Sequence, residues 1–124
     1  MEFQQYLEQL LNDLPACDAA FLMGMDGLAV AKATRDPGAG EDLEAFAAQY
    51  THLLQSLHQA LHQFDADSQP YEHIHVMDRF FILARFITSS YYVLLRVRPE
   101  GLLGHARYRL HRLCQQLAQE IGSI

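Results

Sequence analysis

Residues 71–98 read YEHIHVMDRFFILARFITSSYYVLLRVR, three runs of aromatic and β-branched residues separated by Asp78-Arg79 and by Thr88-Ser89-Ser90. Connections this short join antiparallel neighbours. An antiparallel sheet with one wet face alternates apolar and polar residues, whereas FFILA (80–84) and YYVLL (91–95) are almost continuously apolar. Both faces of this sheet should therefore be covered. The segment 71–77 is the exception: it alternates more clearly and carries two histidines, which marks it as an edge strand.

Upstream, residues 20–33 read AFLMGMDGLAVAKA, two further apolar runs hinged on Asp26-Gly27. Asp-Gly between β-formers is a strong hairpin signal, because a tight primed turn requires positive φ and these residues tolerate it. A phosphate cradle would instead need several glycines and a lysine leading into a helix. Helical periodicity appears three times. Phe3, Leu7, Leu10, Leu11 and Leu14 define a first helix that Pro15 stops. After the loop TRDPGAGE (34–41), the acidic start Glu41, Asp42, Glu44 suits a helix N-terminus. From there Leu43, Phe46, Ala47, Tyr50, Leu53, Leu54, Leu57, Leu61 and Phe64 read as one apolar face about six turns long. Pro70 follows, and Leu103, Ala106, Leu110, Leu113, Leu117 and Ile121 define a closing helix. The element order is αββαβββα. It predicts an α/β (α+β) three-layer sandwich: a five-stranded antiparallel sheet, the long second helix on one face, and the first and last helices on the other.

The chain has 124 residues, half of them hydrophobic, which suits one domain spanning 1–124. The first 22 residues contain four acids and no basic region, unlike a secretory signal. No apolar stretch approaches the ~20 residues that cross a bilayer, so a cytoplasmic protein is expected. Net charge is −6, which argues against nucleic-acid binding. The charge is uneven. Residues 1–78 hold thirteen acidic and two basic side chains, and residues 79–124 hold two acids and seven arginines, a division expected to be neutralised across the fold. Cys17 and Cys114 belong to no Cys-x-x-Cys motif and read as core thiols.

No P-loop, nucleophile elbow or cysteine-histidine motif is present, so no catalytic residue and no cofactor is expected. His58 and His62 lie four apart on the second helix, and His73 and His75 two apart on the edge strand, so each pair shares a face. At a two-fold interface such imidazoles could converge on zinc or nickel. No cysteine or carboxylate completes a motif, and the expectation is that the protein holds no metal. Arg85, in mid-strand, reads as paired with an acid, while Arg107, Arg109 and Arg112 read as a solvated helix face rather than as an arginine finger.

Taken together, the element order, the AFLMGMDGLAVAKA hairpin, the helix EDLEAFAAQYTHLLQSL (41–57) and the strand trio before a terminal helix resemble the roadblock / dynein light chain family of longin- and profilin-like domains. The branch associated with Ras-like gliding-motility GTPases is the more similar. The resemblance covers essentially the whole chain and implies a non-enzymatic homodimer in which edge strands pair across a two-fold axis and the second helices pack side by side. The corresponding interface here is Tyr71, His73, Ile74, His75, Val76, Met77 and Leu61. It further implies a scaffold or regulator of a Ras-like small GTPase, with Thr51, Gln55, His58 and His62 expected to be exposed toward partners. The alternatives are a subunit that pairs with another roadblock-type protein, and a small-ligand or metal-sensing domain.

Overall fold

In the computed structural model, residues 2–122 are described; the expected domain limits, 1 and 124, lie outside them. The elements are α1 (Phe3–Asp13), β1 (Cys17–Gly24), β2 (Ala29–Thr34), a 3-10 turn (Pro37–Ala39), α2 (Gly40–Phe64), β3 (Glu72–Val76), β4 (Phe81–Phe86), β5 (Tyr91–Val97) and α3 (Leu103–Gly122). One antiparallel sheet runs β2-β1-β5-β4-β3. The segment read as an edge strand is at the edge, paired along one side with β4 from Glu72↔Arg85 to Val76↔Phe81.

The continuous apolar runs follow from the layers. Leu22, Leu83, Val93 and Leu95 pack beneath α1 and α3 against Leu7, Leu10, Leu11, Leu110, Leu113 and Leu117. Their sequence neighbours Phe21, Met23, Ile82, Ala84, Tyr92 and Leu94 point the other way, toward Ala47, Tyr50 and Leu54 of α2. Period-two alternation thus feeds two cores at once. Cys17 and Cys114 are both buried.

The β1–β2 hairpin departs from the expected primed two-residue turn. Among the described residues Gly27 alone has positive φ, at 89°. Its N–H donates to the Gly24 carbonyl at 3.0 Å, the Gly24 N–H donates to the Leu28 carbonyl at 2.9 Å, and Asp26 Oδ1 accepts from the Leu28 N–H at 3.1 Å. This is a three-residue connection ending in a left-handed glycine. The carboxylate is occupied in shaping the turn.

The charge division closes within the fold. Arg96 and Arg98 reach Asp18 at 3.0 and 3.5 Å, Arg109 pairs with Asp13, and Glu72 receives Arg107 at 2.7 Å and Arg85 at 3.7 Å. Each of these pairs joins an acid of the first 78 residues to an arginine of the remainder. Arg85 is buried, and its Nη2 also donates to His111 Nδ1 at 2.8 Å.

Candidate interaction surface

Helix α2 carries two apolar stripes where periodicity suggested one. Ala47, Tyr50 and Leu54 are buried against the sheet, while Phe46, Leu53, Leu61 and Phe64 are exposed, Leu53 by 57% and Phe64 by 94%. With 100° per residue, Phe46, Leu53, Leu57, Ala60 and Phe64 form a row about a quarter-turn from the buried one. Within the row, positions 53, 57, 60 and 64 repeat at 4-3-4, the spacing of a helix-pairing seam, with Phe46 seven before Leu53.

The flank this row occupies is fixed by contacts on either side of the helix. Tyr50, which borders the row, has its hydroxyl 2.9 Å from His75 Nε2 on β3. On the opposite flank, Gln55 Nε2 donates to the Met25 carbonyl in the β1–β2 connection at 2.5 Å. The exposed row therefore overlooks the open margin of β3, where Tyr71, Val76 and Met77 are also exposed. Val76, paired with Phe81, and Tyr71, stacked on Arg85, lie on the α3 side of that margin, so the apolar row on the α2 side is the helix's own.

The helix residues expected to reach partners point elsewhere. Thr51 is completely buried; its hydroxyl donates to the Ala47 carbonyl at 2.9 Å and lies 2.7 Å from Tyr92 OH. It shares the face of Ala47 and Leu54, four before and three after, so exposure was the wrong expectation. Gln55 is engaged as described. His58 is half-buried, its Nε2 3.1 Å from His73 Nε2 and its ring 5.1 Å from Phe86. His62 is half-buried and lines a groove of about 560 Å³ with His58, Tyr71, Phe86, Ile87 and Thr88. Of the expected edge residues, His73 and His75 face α2, Ile74 lies opposite Leu83 on the other face, and Tyr71 stacks on the Arg85 guanidinium at 4.3 Å.

Burial, reinforced by the neighbouring imidazoles, holds His58 and His73 below the ordinary histidine pKa, so both are neutral near pH 7. Among the described residues no three histidine, cysteine or carboxylate side chains converge as a metal site within one chain. Among the described residues no helix is long and apolar enough to cross a membrane.

The Thr51–Tyr92 contact makes a direct prediction. Thr51→Val keeps the shape and leaves the buried Tyr92 hydroxyl without its partner, which should cost about 2 kcal/mol in urea unfolding. Adding Tyr92→Phe should restore part of the loss, and additive effects of the two substitutions would contradict the contact.

No protein-family model matches the sequence, and no curated protein matches it. Solved structures do. The fold is that of Roadblock/LC7 domains: one from Streptomyces avermitilis superimposes with a TM-score of 0.84 at 16% identity, covering 98% of each chain. The Myxococcus xanthus protein MglB is similar at a TM-score of 0.86 and 15% identity, over 98% of this chain and 96% of its own. A further MglB structure, described as having a tetrameric arrangement, matches at 0.79 and 19% identity, over 94% of this chain and 85% of that one.

Proposed function

We propose that this protein is a non-catalytic, cytoplasmic adaptor that self-associates through α2 and β3 and presents the resulting dimer to a Ras-like small GTPase. The observation that carries this reading is the exposed row on α2 lying beside an unpaired strand margin. Open backbone groups on an edge strand are a template for another strand, and β3 holds neither lysine nor proline to block it. A two-fold axis through that margin continues the sheet and sets the α2 rows side by side in a closed assembly. Support also comes from the Roadblock/LC7 fold and from the tetrameric arrangement described for one MglB. The GTPase assignment rests on the resemblance of the whole element order to the gliding-motility branch.

The test is affinity capture from native cytosol, with recovered chains identified by mass and the capture repeated with GTP and with GDP. A Ras-like GTPase recovered in a nucleotide-dependent amount is the expected result. Recovery of a second roadblock-type chain, with no self-association of the purified protein, would replace the homodimer by a mixed assembly. Recovery of neither would overturn the adaptor reading.

A further inference from the structure

The four histidines at the α2–β3 junction have no part in that reading, and their placement is specific. His58 and His73 point their Nε2 atoms at each other, 3.1 Å apart, with ring centroids at 5.2 Å. Two imidazole nitrogens bound to one tetrahedral zinc ion, each at 2.0–2.1 Å, sit about 3.3 Å apart. The pair is thus close to the spacing of a chelate, and it joins the helix to the edge strand. One chain supplies only these two nitrogens.

A second copy supplies the third. This step rests on the self-association proposed above. A two-fold axis perpendicular to the sheet keeps both α2 helices on the same side, so residues opposed across the paired β3 edges must point to the same face. Side chains alternate along a strand, hence odd-numbered residues oppose odd-numbered ones. Full overlap of Glu72–Val76 with its copy centres the axis on Ile74 and sets His73 opposite the partner's His75. Directly opposed residues have Cβ atoms about 4.5–5.5 Å apart, within reach of a shared ligand. His75 Nε2 already lies 2.9 Å from Tyr50 OH. Donating there, it leaves Nδ1 free, and a ligating histidine commonly fixes its ring through a bond from its other nitrogen.

We propose that His58 and His73 of one chain and the partner's His75 form a site for a divalent transition-metal ion, zinc being the best fit to three imidazoles and an open position, with two such sites per dimer. Water completes the coordination. The ion would lock α2 to the strand margin and the two copies to each other.

The experiment uses the full chain without a histidine tag, titrated with zinc chloride at pH 7.5 by calorimetry, alongside sedimentation with and without the metal. Two zinc ions per dimer and a tightened self-association are expected, with cobalt(II) giving a tetrahedral absorption band. His73→Ala and His75→Ala should each weaken zinc binding roughly 100-fold, which is about 2.7 kcal/mol. An equimolar mixture of the two variants should regain about a quarter of the wild-type sites, because half the dimers are mixed under free exchange and each mixed dimer carries one intact set. A dimer that binds neither metal overturns the site and leaves the adaptor reading standing. A chain that stays monomeric with and without zinc overturns both. Zinc binding that ignores His75→Ala, or a mixture that regains nothing, overturns the shared arrangement.

Discussion

Leu53→Asp is expected to abolish the proposed self-association and leave a folded monomer, raising the dissociation constant by at least about 100-fold in sedimentation. Leu53 lies at the middle of the exposed row on α2, and 57% of it is in contact with solvent in the single chain. An aspartate there costs the isolated fold little, yet in a paired seam it places an unmatched charge against its own copy. Leu54, the next residue, is completely buried. Leu54→Ala should therefore do the reverse, lowering folding stability by about 3 kcal/mol through the cavity it leaves. A Leu53→Asp protein that still self-associates as tightly as the wild type would remove α2 from the interface.

The second large effect concerns Glu72, which stands between Arg85 and Arg107 with only 10% of its side chain exposed. Glu72→Gln keeps the shape but leaves the buried Arg85 guanidinium without a counter-charge, a change expected to cost about 3 kcal/mol in chemical unfolding. Arg107→Gln should cost under about 1 kcal/mol, because Arg107 is half-exposed and its contribution is screened. The pH dependence follows from the carboxylate. The hydrogen bond from Arg107, joined by the charges of Arg107 and Arg85, holds the Glu72 pKa below its ordinary value against the opposing effect of burial. The unfolded chain then binds the proton more readily, so the stabilisation is complete above the unfolded glutamate pKa of about 4.3 and is lost as pH falls through the lower folded value. Wild type should consequently lose stability more steeply than Glu72→Gln below about pH 4.5. Parallel acid limbs for the two proteins would contradict the assignment.

The architecture was legible because each layer leaves its own period in the chain. Apolar continuity in FFILA and YYVLL reported a sheet covered twice, and the alternation of YEHIHVM reported its margin. The pairing of Arg85 with an acid and the neutralisation of the two charge blocks were likewise readable from composition. The faces of α2 were not. Its apolar residues span more than a third of the circumference, and hydrophobicity has one value whether a side chain meets its own sheet or waits for another molecule. Phe46, Leu53 and Phe64 were therefore grouped with Ala47 and Leu54, and Thr51 was placed outward although its 47–51–54 spacing matches the buried face. The histidine pairs were visible as i, i+4 and i, i+2 patterns. That His58 should meet His73, and His75 meet Tyr50, depends on how the helix crosses the sheet, which no local pattern encodes.

The strand order β2-β1-β5-β4-β3 has a bearing on biosynthesis. The last strand to leave the ribosome is the one in the middle, so the hairpin completed at Thr34 must wait until Tyr91 for its inner neighbour, and the non-local closure makes folding slow. Until then a nascent chain exposes naked β margins to every other chain on the same message. Its thirteen acids against two bases give these unfinished intermediates a mutual repulsion, which the arginines of the final segment reduce to the whole chain's −6 as the sheet is completed.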